Sequence, residues 1–247
     1  MPGDPRVSCI VAGVQKGGTT ALFEYLTEEP GLACSRVKEV HFFDDETQAW
    51  PAPDYAAYHA NFAAFDGRPR LEATPIYLYW PNSLERIAAY NPAMRFIVML
   101  RDPVERAWSH WKMEYARGVE AEPFAWCIRE GRLRLFEAEP WGFHREQSYV
   151  ERGFYGEQMA RLYGLFPSKQ VLVQRADELR ADPARMLTRV RTFLGLAPAA
   201  APAPREANVG REMDYGSALS AADCAHLRAV YARDQGRLAE LTGIRFS

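Results

Sequence analysis

Near its start the chain passes from a strand pattern to a helical pattern across a glycine-rich loop. Residues 8–12 (SCIVA) are short, apolar and partly β-branched, as in a buried strand, and apolar residues then recur at helical spacing from Ala21 to Pro30. The loop between them, residues 13–20, reads GVQKGGTT. Such a loop forms an anion-binding cradle, because unpaired backbone N–H groups and the positive end of the helix dipole meet there. The sequence therefore predicts an α/β fold with a phosphate-binding loop.

The residue order within this loop argues against a Mg–nucleoside triphosphate as its ligand. The common ATP-binding loop has a lysine and then Ser or Thr directly after its last glycine. Here Thr19 follows Gly18, and Lys16 stands before the glycine pair. The sequence also lacks an obvious strand ending in an aspartate placed to hold Mg²⁺. The loop therefore favours another phosphate-bearing ligand, with Lys16 as a mobile positive charge and Thr19 and Thr20 as hydroxyl donors.

A second buried-strand pattern, residues 94–100 (MRFIVML), is followed by Arg101. Asp102 suits a helix N-cap and Pro103 suits the first helical turn, and Ser109 lies about two turns further along. Arg101 is thus expected at the carboxyl end of a strand, where open α/β sheets bind ligands. An arginine fork with a hydroxyl suits a terminal phosphate. The alternative is that Asp102 and Pro103 only begin a helix and that Arg101 is a structural ion-pair partner.

Three motifs in this order resemble the sulfotransferases that use 3′-phosphoadenosine 5′-phosphosulfate (PAPS). They are residues 13–20, residues 38–44 (KEVHFFD) and residues 101–106 (RDPVER). The resemblance is to the heparan sulfate branch, both 3-O- and N-sulfating, and to its bacterial relatives, and it extends from about residue 8 to residue 196. It implies the sulfotransferase fold, a P-loop-like parallel β-sheet flanked by helices on both faces. We expect a single such domain over residues 1–247.

The resemblance implies how the donor PAPS would be bound and the product 3′-phosphoadenosine 5′-phosphate (PAP) released. Arg101 and Ser109 would hold the 3′-phosphate. The basic glycine-containing loop that closes over the donor in the family has its nearest match at Gly210 and Arg211. The 5′-phosphosulfate end would be bound by Lys16, Gly17, Gly18, Thr19 and Thr20. No metal is expected, because a sulfuryl group carries less charge than a γ-phosphate.

The resemblance also assigns catalytic roles. Glu39 matches the family's glutamate general base, which takes the proton of the acceptor, and Lys16 would neutralise the departing phosphate of an in-line transfer. His41 shares a face with Glu39 if the segment is extended, and could assist or orient the base. The neighbouring Phe42 and Phe43 could exclude water and raise the pKa of Glu39. The alternative is a solvated loop with an incidental histidine.

Two features bear on the acceptor. Ala73 stands where the heparan sulfate enzymes carry a lysine, and Asp44, Asp45 and Glu46 would repel a polyanion. Both favour a small natural product or a neutral carbohydrate as the acceptor. We expect transfer to a hydroxyl, with an amine as the less favoured acceptor group. A P-loop kinase or NTPase and a non-catalytic nucleotide-binding protein stay open as alternatives.

The composition limits the partners and the location. A net charge of −2 and a pI of about 6.2 give no general attraction to nucleic acid or to an anionic membrane. Four cysteines without paired or metal-like spacing indicate a reducing compartment. The chain enters its first strand almost at once, so we expect no signal peptide or membrane anchor. We therefore expect a cytoplasmic enzyme, of bacterial origin.

Apolar periodicity predicts a regular alternation of strands and helices beyond the first loop. Alternation of this kind implies a parallel sheet with helices on both faces. The predicted strands are 8–13, 32–35, 70–73, 95–100 and 170–174, and the predicted helices are 54–65, 82–90, 103–117, 122–137, 155–166, 183–194 and 220–241.

Overall fold

The computed structural model describes residues 5–139, 142–199 and 213–246. These residues form two compact units, one of residues 5–100 and 162–199 and one of residues 101–139, 142–161 and 213–246. The first unit contains a five-stranded sheet. Its strands are β1 (Val7–Gly13), β2 (Ala33–Cys34), β3 (Arg70–Ala73), β4 (Arg95–Leu100) and β5 (Val171–Arg175).

The sheet is parallel throughout, in the order β2-β3-β1-β4-β5. The central strand β1 pairs on both sides, with Val11 opposite Ala73 of β3 and opposite Ile97 of β4. These three strands are almost entirely buried, which explains why their sequences are apolar runs rather than alternating patterns. Because the strands are parallel, the segments that follow β1, β2 and β3 begin at the same edge of the sheet, where such sheets bind ligands.

Helices pack on both faces of this sheet, as the sequence predicts. On one face, Leu22 of the helix Thr19–Thr27 and Val190 of the helix Pro183–Leu194 pack with Val11 and Ile97 of the sheet. On the other face, the ring of Phe96 lies 4.6 Å from that of Phe166. The helices of this unit are α1 (Thr19–Thr27), α2 (Tyr55–His59), α3 (Ser83–Tyr90), α7 (Ala176–Ala181), α8 (Pro183–Leu194) and residues 162–165 of α6 (Tyr155–Leu165).

The second unit is helical and has its own apolar core. Val104, Trp111, Phe124, Leu227 and Tyr231 are all buried in this core. The helices are α4 (Pro103–Ala116), α5 (Phe124–Cys127), α9 (Ala221–Thr242) and residues 155–161 of α6 (Tyr155–Leu165). Three 3₁₀ helices complete the described structure, at Glu130–Glu137 and Glu151–Gly153 in this unit and at Ser168–Gln170 in the first.

Most predicted elements are confirmed to within two residues. Two predicted helices were wrong, and one short helix was missed. The helix expected over 54–65 ends at His59, and α7 was not predicted because its six residues hold too few turns for a periodic pattern. The helix expected over 122–137 divides into α5 and the 3₁₀ helix Glu130–Glu137. At this division Gly131 packs directly on Trp126, whose ring lies only 2.8 Å from where a Cβ on residue 131 would stand.

Candidate active site

The glycine-rich loop joins β1 to α1, as its sequence predicts. The pairing of β1 with β4 shifts register between Val11 and Gly13, and the chain then turns back over the end of β4. The N–H of Val14 donates to the carbonyl of Met99, and the N–H of Gly17 donates to the carbonyl of Val14, each at 2.9 Å. The loop is therefore a tight backbone turn anchored to the neighbouring strand.

Glycine is required at two positions of this loop for different reasons. A Cβ on Gly17 would lie 2.4 Å from the carbonyl oxygen of Met99, so no side chain fits there. Gly18 is the N-cap of α1 and has a left-handed backbone with φ of +84°. Gly17 therefore lets the loop pack against the end of β4, and Gly18 lets the chain turn into α1.

The N-terminus of α1 is suited to an anion. Its N-cap, Gly18, offers no side-chain oxygen to the first N–H groups, and its first turn holds no acidic residue. By contrast, α4 and α8 are capped by the carboxylates of Asp102 and Asp182. Thr20 is exposed in this first turn while Thr19 is buried. Uncapped N–H groups, a helix dipole and a hydroxyl fit a phosphate or sulfate ester.

Glu39 belongs to a row of alternating charges in the segment that follows β2. One carboxylate oxygen lies 3.0 Å from Nζ of Lys38, and the other lies 3.3 Å from Nε2 of His41. The other ring nitrogen of His41, Nδ1, lies 2.9 Å from Oδ2 of Asp44, a fully buried carboxylate. His41 therefore bridges two carboxylates, which fixes its ring and orients Glu39.

These contacts set the protonation of the pair. Hydrogen bonds from its ring to Asp44 and then to Glu39 raise the pKa of His41 to about 9, so the ring is an imidazolium at neutral pH. Burial alone would raise the pKa of Glu39, but the hydrogen bonds from His41 and Lys38 outweigh it and lower that pKa. The sequence prediction of a raised Glu39 pKa was therefore wrong, because two cations rather than the apolar pair dominate the surroundings of this carboxylate.

A second carboxylate, that of Glu72 on β3, lies beneath this segment and is completely buried. It accepts hydrogen bonds from the hydroxyls of Tyr58 at 2.7 Å and Thr74 at 2.6 Å. Burial raises the pKa of Glu72 to about 7, against the lowering effect of these hydroxyls. The hydroxyl oxygens of Thr74 and Tyr77 in turn accept from the backbone N–H groups of Val40, Phe42 and Phe43.

The turn after β3 connects the Glu39 segment with the phosphate loop. At one end, Thr74 and Tyr77 hold the backbone of residues 40–43. At the other end, the N–H of Leu78 donates to the carbonyl of Ala12 at 3.0 Å, and the Leu78 side chain packs where a Cβ of Gly13 would stand. Residues 74–78 therefore link the two segments within the first unit.

Arg101 and Ser109 are both in the second unit. Arg101 directly precedes the N-cap Asp102 of α4, and its carbonyl accepts from the hydroxyl of Tyr155. Its guanidinium donates to one oxygen of Glu105, at 3.1 and 3.2 Å. Ser109 is half-buried on α4. The Arg101–Glu105 pair is partly exposed, so it contributes little stability and can be displaced by a stronger anion such as a phosphate.

The predicted features that remain are the Gly210–Arg211 loop and the acidic residues 44–46. Gly210 and Arg211 lie outside the described residues. The expectation that Asp44, Asp45 and Glu46 repel a polyanion together was wrong. Asp44 points inward to His41, and Glu46 is neutralised by Arg86 at 2.7 Å.

No cluster of three or more His, Cys, Asp or Glu side chains suited to a metal ion occurs in the part of the chain that the structure describes. Across those same ranges, no helix has the length and apolar character needed to cross a membrane.

Four residues that shape the site were not predicted from the sequence. Asp44 is the last residue of the predicted motif 38–44 but was interpreted as a surface charge, and no hydrogen-bonding role was predicted for Thr74 or Tyr77. Glu72 carried a usable signal, since a glutamate between Leu71 and Ala73 interrupts an otherwise apolar strand.

Comparisons with known proteins agree with the predicted family. Residues 7–208 match the family model of the sulfotransferase domain. The human heparan sulfate glucosamine 3-O-sulfotransferase 3B1 is 32% identical over 190 residues, which are 76% of this chain and 45% of that protein. The human heparan sulfate glucosamine 3-O-sulfotransferase 6 is 32% identical over 199 residues, which are 79% of this chain and 54% of that protein. The chain thus spans about half the length of these relatives.

Solved structures extend the comparison to the fold. The sulfotransferase from Alicyclobacillus acidocaldarius superimposes with a TM-score of 0.81 at 25% identity, over 98% of this chain and 97% of that one. The sulfotransferase domain of the Synechococcus olefin synthase has a TM-score of 0.56 at 15% identity, over 94% of this chain and 98% of that one, which supports the fold alone.

Proposed function

The chain belongs to the sulfotransferase domain family, and from this premise we propose that it transfers a sulfuryl group from PAPS to a hydroxyl group. The family uses PAPS as its donor. The acceptor that we propose is a small natural product or a carbohydrate, with an amine as the less favoured acceptor group. Ala73, in place of the lysine of the heparan sulfate enzymes, argues against taking over their polymeric substrate. The cytoplasmic, bacterial setting expected from the sequence belongs to the same proposal.

The donor would be bound by two sets of residues. The loop from Lys16 to Thr20 suits the 5′-phosphosulfate, because the first turn of α1 presents N–H groups that no N-cap side chain satisfies and Lys16 adds a positive charge. Arg101 and Ser109 suit the 3′-phosphate, with the guanidinium exchanging Glu105 for the phosphate. We assign Gly210 and Arg211 to the donor on the resemblance alone.

Transfer would proceed by in-line displacement at sulfur. The acceptor oxygen forms a new S–O bond, the S–O bond to the 5′-phosphate of the donor breaks, and the acceptor proton passes to a carboxylate oxygen of Glu39. Lys16 and the N–H groups of the loop stabilise the charge that develops on the departing phosphate. His41 holds Glu39 in place and keeps it ionised, because it is itself a cation at neutral pH.

One observation carries this proposal. Glu39 is an ionised carboxylate with both oxygens oriented by cations, and residues 74–78 tie its segment to an anion-binding loop. A non-catalytic nucleotide-binding protein would need the loop but not this oriented base. A P-loop kinase or NTPase would need a lysine after the glycine pair, where this chain has Thr19.

Calorimetric titration with PAP, alone and in competition with ATP–Mg, tests the donor site. We expect PAP to bind without Mg²⁺. Lys16→Ala and Arg101→Ala should each weaken binding by roughly 10- to 150-fold, because a hydrogen bond to a charged group contributes about 1.5–3 kcal/mol. A preference for ATP–Mg would favour the kinase alternative instead.

Arg189→Ala is the matched control. Arg189 forms a partly exposed ion pair with Glu178 at 2.7 Å, comparable to the pair of Arg101 with Glu105. We expect its loss to leave the affinity for PAP unchanged. Equal weakening by Arg189→Ala and Arg101→Ala would contradict a specific role of Arg101.

A further inference from the structure

We infer that Glu72 is a positioning residue for the catalytic segment, acting through the hydroxyl of Thr74, beside which the hydroxyl of Tyr77 holds the same segment. This inference deepens the proposed function, since Glu39 on that segment is the proposed base. Glu72 is buried on β3 and contributes no group to the surface. Its effect would be exerted on the backbone of residues 40–43.

The chain of contacts starts at the hydroxyl of Thr74, whose single O–H donates to the carboxylate of Glu72 at 2.6 Å. With its proton committed in this direction, the hydroxyl oxygen has its lone pairs left to accept. The Tyr77 hydroxyl lies close enough to the same carboxylate to lower the pKa of Glu72. A carboxylate at this position therefore orients the Thr74 hydroxyl as an acceptor toward the other side.

The other side is the backbone of the Glu39 segment. Val40 donates its N–H to Thr74 at 3.0 Å, while Phe42 and Phe43 donate theirs to Tyr77 at 2.9 and 3.4 Å. These three residues flank His41, and Val40 also follows Glu39 directly. The segment lacks regular secondary structure, so these bonds replace the ladder that would otherwise hold its backbone.

Tyr58 provides an internal comparison. Its hydroxyl also donates to Glu72, and it is also fully buried, with its ring stacked 4.7 Å from that of Phe42. No backbone N–H of residues 40–43 donates to this hydroxyl among the bonds of the described residues. Tyr58→Phe thus removes a hydrogen bond to Glu72 without removing an acceptor of the segment, whereas Tyr77→Phe removes the acceptor of Phe42 and Phe43.

Amide hydrogen exchange followed by NMR at pH 8 tests the inference without an acceptor substrate. Tyr77→Phe should speed exchange at Phe42 and Phe43 by about five- to tenfold, as expected for one lost hydrogen bond. Thr74→Val should speed amide exchange at Val40 by a similar factor, and Thr74→Ser should keep the exchange rate of Val40 near that of the wild type. Exchange at Leu78, whose N–H donates to Ala12, should not change. Tyr58→Phe should leave all of these amides near their wild-type rates.

The pKa of His41 and the kinetics separate positioning from general destabilisation. In Glu72→Gln and Tyr77→Phe we expect the His41 pKa to fall, because the ring loses its alignment with Glu39 and Asp44. We also expect kcat to fall at least tenfold while the Kd for PAP stays within twofold. Equal effects of Tyr58→Phe and Tyr77→Phe, or unchanged exchange in Thr74→Val, would overturn the inference. Failure of the wild-type protein to bind PAP would instead overturn the proposed function and leave the exchange test valid.

Discussion

Nδ1 of His41 lies 2.9 Å from Oδ2 of Asp44, a carboxylate with no exposed surface. The imidazole is half-exposed and reaches Glu39 with its other nitrogen. A buried anion therefore holds a cation at the surface, and that cation orients a second carboxylate. The hydrogen bond from His41 lowers the pKa of Glu39, so Glu39 stays ionised although most of its side chain is shielded from water.

We predict that His41 titrates far above a normal histidine. NMR titration should give a pKa of about 9. Asp44→Asn should lower this pKa more than Glu39→Gln does, because the hydrogen bond to Asp44 is the larger of the two effects. A wild-type value near 6.5, or a larger decrease in Glu39→Gln, would contradict this arrangement. The imidazolium also favours the folded state below pH 6.5, and that contribution is lost as the pH rises through 9.

We predict that Glu39→Gln separates binding from catalysis. The amide preserves the shape of the side chain but cannot take the acceptor proton, so turnover should fall by about 10²- to 10⁴-fold. Release of PAP from PAPS, measured with an acceptor found by screening phenols and saccharides, gives the rate. Calorimetry with PAP should show affinity close to that of the wild type. A variant with more than a tenth of the wild-type rate would exclude Glu39 as the base.

We predict that Gly17→Ala disrupts the loop, because its Cβ would lie 2.4 Å from the Met99 carbonyl. Displacing this backbone should cost about 1–3 kcal/mol of unfolding free energy and abolish measurable binding of PAP. Urea unfolding and calorimetry measure the two effects. Gly236→Ala is the control, since Gly236 lies in α9 with open space around it. That change should preserve or increase stability, and equal destabilisation by both variants would refute the steric argument.

We predict that Glu72 makes stability depend on pH between 4.5 and 7. Its pKa is about 7 in the folded protein and 4.5 when exposed, so the folded state holds the proton more tightly in this range. The resulting stabilisation is complete below pH 4.5 and is lost as the pH rises through 7, by an amount on the order of 3 kcal/mol. Urea unfolding at several pH values should show this fall in the wild type and a flatter profile in Glu72→Gln. Parallel profiles would show that Glu72 titrates normally.

The phosphate loop and the sheet could be predicted because their determinants are local. An apolar run, a glycine pair and a helical repeat are adjacent in the chain, and Gly17 and Gly18 are needed for backbone reasons that neighbouring residues impose. The helix start at the N-cap Asp102 and Pro103 could be predicted for the same reason, and it is confirmed. Short elements such as α7 were missed because a few residues carry no period.

The protonation of the site could not be predicted in the same way. The sequence by itself determined the family, the parallel sheet, the loop and the presence of Glu39 and His41 beside an apolar pair. Only the tertiary structure decided that Asp44 turns inward, that the pKa of Glu39 falls, and that Glu72 lies beneath the segment. A pKa depends on burial and on charges a few ångströms away, and residues 33 positions apart, such as Glu39 and Glu72, become neighbours only when the chain folds.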